Sequence, residues 1–355
     1  MELTSPAKGR DFTLHMDKNM ALTKHLYVKY DGDVGEARRL ASALCRDLDF
    51  DELRIGQAAL MVTELATNLA RHTHGVGGEL VFSPVQQAGE TGIDLLSLDQ
   101  GPGIDNISLC LRDGHSTAGT LGKGLGRIQQ LSSVFDISSI PGQGTVLFSR
   151  LWKKLPPPSA FTVGGVCLPV NGEQACGDAW AMKQGPDSML FMLADGLGHG
   201  PDAAAASELA VTTFKNNTSC NPENLVQLIH SALHGTRGAA VAVAEVSPQE
   251  RLVRYVGVGN ISGLMLTQET TKHLVSLHGT AGGDVRKTQT FTYPWSDETL
   301  LVLHSDGLAT HWSLKNYPGL AFKHPALIAG VLFRNHQRLR DDSTVVVIKT
   351  SGSMS

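Results

Sequence analysis

The sequence predicts an α+β protein of two domains, and three observations predict it. The chain has 355 residues, and an ordinary domain takes about 150, so two are expected, each long enough to bury its own core. The run Trp152-Lys153-Lys154-Leu155-Pro156-Pro157-Pro158-Ser159 holds successive prolines, which continue neither a helix nor a central strand and favour an extended spacer. The first half mixes long amphipathic helices with strands, whereas the second is richer in strands. The reading is a domain over 1–151, a linker over 152–159 and a domain over 160–355.

Val34 to Leu48 places Ala37, Leu40, Ala41 and Leu44 at helical spacing. Asp51 to His72 is a longer helix capped near Asp51, with Ala58, Val62, Leu65 and Leu69 as its buried stripe, and Gly75-Val76-Gly77-Gly78 ends it. Strands follow at 79–82, 93–98 and 134–139, and another at 144–151, entered through Pro141-Gly142-Gln143-Gly144. In the second half, strands are expected at 161–170, 179–183, 188–194, 239–246, 252–258, 263–267, 300–303 and 344–349, and helices at 203–215 and 222–234. Apolar strands with two helices between them suggest paired sheets covered by helices.

The net charge is −4, without a long basic or acidic block, so neither nucleic acid nor an anionic membrane is an expected partner. No apolar stretch approaches the ~20 residues that span a bilayer. Met1 to Lys18 lacks an apolar signal core. The five cysteines, Cys45, Cys110, Cys167, Cys176 and Cys220, are scattered and form no Cys-x-x-Cys pair. Reduced thiols in the cytoplasm fit this pattern.

Two constellations carry chemistry. In the first half, Glu64 and Asn68 share one helix face. Such a face can hold a divalent ion beside a phosphate chain, and Glu64 can take a proton from an attacking hydroxyl; a solvated polar face is the plain alternative. Asp99 ends an apolar strand, where a carboxylate can accept from an exocyclic amine such as adenine's. Gly101 and Gly103 beside it let the backbone approach a flat base, although Gly-Pro-Gly is also a common turn. Gly119, Gly122, Gly124 and Gly126 read as a loop before a helix beginning near Leu125, with Lys123 and Arg127 adding positive charge. Backbone N–H groups and a helix start there suit phosphate.

The order Glu-x-x-x-Asn, Asp-x-Gly-x-Gly, Gly-x-Gly-x-Gly and Gly-x-Gly-Thr resembles the Bergerat-fold (GHKL) ATP-binding family of gyrase, Hsp-type chaperones and histidine kinases. The stretch Thr63-Glu64-Leu65-Ala66-Thr67-Asn68-Leu69-Ala70-Arg71-His72 looks like the anti-sigma-factor serine kinases. The resemblance covers most of 20–150. It implies an α/β sandwich that binds ATP with Mg²⁺, with Asn68 on the metal, Glu64 as catalytic base and Asp99 on adenine. Gly101, Gly103 and Thr145 would lie beside the nucleotide, and Gly122, Lys123, Gly124, Leu125 and Gly126 by the phosphates. Carrying both Glu64 and Asn68 favours a working kinase over an ATP sensor.

In the second half, Asp178, Asp195, Asp306 and Asp341 lie far apart, and three adjoin apolar runs. Carboxylates converging from several strand ends repel one another unless hard divalent cations sit between them. Two such ions can activate a water and hold a phosphoryl oxygen for in-line attack. Any single Asp-Gly is also an ordinary hairpin signal. The set Gly177-Asp178, Asp195-Gly196-Leu197-Gly198-His199-Gly200, Ser305-Asp306-Gly307 and Arg340-Asp341-Asp342-Ser343-Thr344 resembles the metal-dependent type 2C protein phosphatases, in the SpoIIE-type branch. Thr236-Arg237-Gly238-Ala239 and Val256-Gly257-Val258-Gly259-Asn260 look like that branch too.

The resemblance covers about 160–350 and implies an α-β-β-α sandwich. Asp195 would bridge two Mn²⁺ or Mg²⁺ ions, with the Gly196 carbonyl at the first site, Asp306 and Asp341 at the second, and Asp178 nearby. Ala181 stands where many relatives carry a further Asp, and nothing clearly matches the arginine that some type 2C enzymes place on the substrate phosphate. Arg237 is read as structural, and His199 as a packing or hydrogen-bonding residue at a helix start.

Together the resemblances imply a cytoplasmic regulator with opposed activities, a serine kinase-like ATP-binding half and a phosphoserine/phosphothreonine phosphatase half. A phosphorylated STAS-domain or anti-sigma antagonist protein is the implied partner, and a homodimer is compatible with the kinase-like half. The alternatives are a phosphatase whose first half only binds ATP or a partner, and a non-catalytic sigma-factor-binding protein.

Overall fold

The computed structural model describes residues 23–111 and 121–352, and of 121–123 only the backbone. Gly119 lies outside the described residues. In the first half, β1 (Lys24–Val28), β2 (Gly78–Gln87), β3 (Glu90–Asp99), β4 (Val134–Ile140) and β5 (Gly144–Trp152) form an antiparallel sheet in the order β1-β2-β3-β5-β4. Helices α1 (Asp31–Asp47), α2 (Glu52–His72), α3 (Ile107–Leu111) and α4 (Leu121–Leu131) accompany it. The Asp51 carboxylate accepts from Arg54 N at 2.7 Å, so α2 begins where an N-cap acid dictates. Its stripe Ala58, Val62, Leu65 and Leu69 is buried against α1, α4 and one face of the sheet.

In the second half, β11 (Ser262–Leu266), β12 (Thr271–His273), β15 (Leu300–His304), β16 (Ser343–Thr350) and β6 (Phe161–Leu168) form one sheet, ordered β12-β11-β15-β16-β6. The other runs β13-β10-β9-β8-β7, from β7 (Asp178–Gln184), β8 (Met189–Gly196), β9 (Ala239–Ser247), β10 (Leu252–Val258) and β13 (Ser276–Leu277), with β14 (Phe291–Pro294) also on β10. Helices α5 (Pro201–Asn216) and α6 (Pro222–Ala232) cover the outer face of this second sheet, and the two sheets pack face to face.

A helix that the sequence reading lacks, α7 (Pro325–His336), decides how the halves join. Its residues 325–333 are all buried. One continuous core takes in α7, then Val166, Val345 and Val347 of the β6–β15–β16 sheet, and Val81, Leu96, Leu98, Val146 and Phe148 of the first-half sheet. The layers therefore run helices, sheet, α7, sheet, sheet, helices. A helix between two sheets is apolar all round, so it leaves no periodic pattern to read.

Each half buries a core of its own, and the two halves share this further one. Polar ties reinforce the seam. Asp136 on β4 accepts from Lys323 Nζ at 2.9 Å and His324 N at 2.8 Å. The His324 ring stacks on Phe148 at 4.4 Å, and Arg334 donates to the Asp99 carbonyl at 2.8 Å. Trp152, read above as the first linker residue, is the buried last residue of β5, so the extended segment starts at Lys153.

Candidate functional site

Two polar regions sit on this frame. In the first half, α4 lies across the polar face of α2. A Cβ at Gly124 would stand 2.9 Å from Glu64 Oε2 and 3.8 Å from Asn68 Oδ1, so glycine permits this approach. The glycine run forms the first turns of α4 rather than a loop ahead of it, because the helix starts at Leu121. Leu125 packs its side chain into the core, leaving only its backbone for a ligand. Gly122 and Lys123 are helical, and the Lys123 side chain lies outside the described residues. Glu64 Oε1 accepts from Arg127 Nη1 at 2.8 Å, a partner that sequence spacing did not reveal.

Asp99 ends β3, and its Oδ1 accepts from Gly101 N at 2.8 Å and Thr145 N at 3.2 Å. Burial pushes its carboxyl above the usual carboxylate range, against the pull of those two N–H groups. Gly101 packs on Thr73 at the end of α2, and Gly103 takes a φ of +75°. The C-terminal end of α2 and the Asp99 turn are therefore neighbours.

In the second half, Asp178 lies directly opposite Asp195 across the β7–β8 pair, so both carboxylates leave the same face of the sheet. Burial, then Asp178, Asp306, Asp341 and Asp342, raise the Asp195 carboxyl to about 9. Asp178 is pushed to about 7 by burial, opposed by the Ser305 hydroxyl, which donates to its Oδ2 at 2.6 Å. Ser305 Oγ also accepts from Thr344 N at 3.0 Å, so this one side chain ties the two sheets at the cluster.

Asp306 Oδ2 accepts from Asn260 Nδ2 at 2.7 Å. Burial and the nearby Asp306 raise Asp341. Asp342 accepts from Val170 N and Gly177 N, each at 2.7 Å, and so fixes the loop leading to Asp178. Gly196 N donates to the Gly177 carbonyl at 2.9 Å. A side chain at Gly196 would strike the Ala203 backbone in the first turn of α5.

His199 bonds Glu173 at 3.0 Å, and Arg237 pairs with Asp202 on α5 at 2.9 Å. Ala181 packs into the helix-facing core with Ala179; alternation along β7 turns it away from the face of Asp178.

Among the described residues, no three His, Cys, Asp or Glu side chains converge into a ready-made metal ligand group. The donors are nevertheless all oxygen, and five carboxylates stand close enough to raise one of their number to about 9. That repulsion is what a hard cation relieves, and such ions keep waters among their ligands. Ser305, Asn260 and Asp342 escaped the sequence reading as supporting residues. Ser305 and Asp342 each adjoin a strand-end Asp in the motifs, but Asp178 and Gly177, which they respectively hold, lie more than a hundred residues away.

Residues 29–150 match the family described as histidine kinase-like ATPase domain, and residues 185–351 match stage II sporulation protein E, SpoIIE. The chain is 31% identical over 120 residues to the serine/threonine-protein kinase RsbT of Bacillus subtilis, covering 34% of this chain and 89% of RsbT. It is 25% identical over 139 residues to the phosphoserine phosphatase RsbX of Bacillus subtilis, covering 39% of this chain and 70% of RsbX. A chain from a structure of the bacterial stressosome, described as a modular system adapted to control secondary messenger signaling, has a TM-score of 0.50 and 28% identity. It covers 54% of this chain and all of that one. This chain belongs to the GHKL-like histidine kinase-like ATPase family through its first half and carries a SpoIIE-type, type 2C-like phosphatase domain in its second.

Proposed function

We propose that the second half is a divalent-metal-dependent phosphoserine/phosphothreonine phosphatase and the first half an ATP-binding module, joined in one partner-switching regulator. The carrying observation is the carboxylate cluster, with Asp195 raised to about 9 among its neighbours. Hard divalent cations between such carboxylates relieve this repulsion. In this reading Asp195, the Gly196 carbonyl, Asp306 and Asp341 would hold two Mn²⁺ or Mg²⁺ ions, with Asp178 supporting them. When bound, the ions supply an activated water and neutralise the phosphoryl oxygens. Asn260 orients Asp306, Ser305 orients Asp178, and Asp342 holds the loop in place. The preferred substrate is a phosphorylated STAS-domain or anti-sigma antagonist protein, in line with the likeness to RsbT and RsbX.

In the first half, Asp99 would take the adenine amine and Gly101, Gly103 and Thr145 the rest of its rim. Asn68 would hold Mg²⁺, with Gly122, Lys123, Gly124, Leu125 and Gly126 by the phosphates. Two readings of Glu64 remain open. In one it is a kinase base, with Oε2 free of Arg127 to take the proton; in the other the 2.8 Å pair to Arg127 through Oε1 holds it as part of an ATP-binding module without transfer.

The test is Mn²⁺-dependent hydrolysis of p-nitrophenyl phosphate by the whole protein and by Asp195→Ala, with and without ATP. Activity lost in the variant upholds the phosphatase, and activity equal in both refutes it. Transfer of labelled phosphate from ATP to a STAS-domain protein, lost in Glu64→Gln, decides between the two readings of the first half.

A further inference from the structure

The segment between α7 and β16 holds more than Asp341. An isolated bridge joins Leu308 to Gln337, and Arg338 N donates to the Gly307 carbonyl at 2.6 Å. The segment is thereby pinned against the turn that carries Asp306. Asp306, Arg338, Leu339, Arg340 and Asp341 line one cleft of about 470 Å³. Arg338, Leu339 and Arg340 are all exposed, Leu339 by 66%.

Among the described residues neither guanidinium pairs with a carboxylate, whereas Arg71, Arg127, Arg150 and Arg237 each do. The chain as a whole is acidic, with a net charge of −4. Two uncommitted forks therefore stand on the lip of the carboxylate centre, facing solvent. Such forks recognise carboxylates bidentately, and an exposed leucine between them adds apolar contact.

We propose that Arg338 and Arg340 form a specificity rim that selects phosphoprotein substrates with aspartate or glutamate beside the phosphorylated residue. The inference rests on the phosphatase reading of the second half. The strand-end carboxylate site would receive the phosphoryl group, and the rim takes the acidic side chains next to it. Because the contacts are exposed, the selection weakens as salt rises.

The test compares two phosphoserine peptides on the full-length protein with Mn²⁺, one flanked by aspartate and glutamate, the other by asparagine and glutamine. The expected result is a preference for the acidic peptide, expressed in KM and reduced by salt. Arg338→Ala combined with Arg340→Ala lowers the ratio of kcat/KM between the peptides by about tenfold, and the paired lysine substitution restores part of it. A general loss of activity or stability cancels in the ratio. A wild-type protein without preference, or a double variant that keeps it, overturns the proposal. If the wild type hydrolyses neither peptide nor p-nitrophenyl phosphate, the phosphatase reading has failed. Fluorescence anisotropy of the labelled acidic peptide then still tests the rim: binding lost in the double variant supports it, and equal binding overturns it.

Discussion

Ser305 shows how one small side chain can carry a site. Its hydroxyl donates to buried Asp178 and accepts from Thr344 N. Ser305→Ala orphans both partners at once. A cost of about 1–3 kcal/mol is expected in chemical denaturation, with weaker divalent binding measured on the same variant. Asp195 makes the matching prediction for pH. Its folded-state carboxyl is raised from 3.8 to about 9. The folded state thus prefers the proton, so the stability it confers is full below about 4 and is lost as pH rises towards 9. In metal-free protein the melting temperature should fall across that window. Added Mn²⁺ at pH 8 should recover it in the wild type and not in Asp195→Asn; calorimetric scans that show the same Mn²⁺ response in both would count against the cation site.

At the scale of elements, α7 is the most consequential one. His324 caps it, with Nδ1 accepting from Ala326 N at 3.1 Å. The ring is buried on Phe148, and burial with the charges of Arg150 and Lys349 holds it well below the usual 6.5. A protonated ring could not accept that bond. The depressed value means stability is full above pH 6.5 and is lost as pH falls below it. Urea midpoints at pH 7.5 and 5.5 should therefore differ, and His324→Asn, which caps without titrating, should narrow the difference. Sequence patterns disclosed most other elements. The Asp51 cap and the stripe of α2 were legible because that helix has one wet face and one dry face. The edge strand β1 was missed because four of its five residues are not fully buried and give no alternation. The opposite circumstance hid α7, whose surroundings are apolar on both sides.

At the scale of the molecule, the first-half sheet offers Val81, Leu96, Leu98, Val146 and Phe148 to α7. A fragment ending at residue 152 would lay that face bare. An exposed apolar patch of this kind drives association, so the fragment should self-associate in size-exclusion chromatography; a well-behaved monomer would show that the shared core is dispensable. The same seam brings Arg334 of α7 to the carbonyl of Asp99, while the end of α7 leads into the segment bearing Asp341. The Asp99 turn and the carboxylate region are thus joined by one helix.

The sequence by itself determined the two constellations, most strands and the helices with amphipathic faces, because residue type and periodicity are local properties of the chain. Only the tertiary structure decided that Ser305 serves Asp178, that Arg127 engages Glu64, and that the halves share a core. Each of these depends on which distant segments meet, and a helix packed between two sheets sees the same solvent-free surroundings on every side.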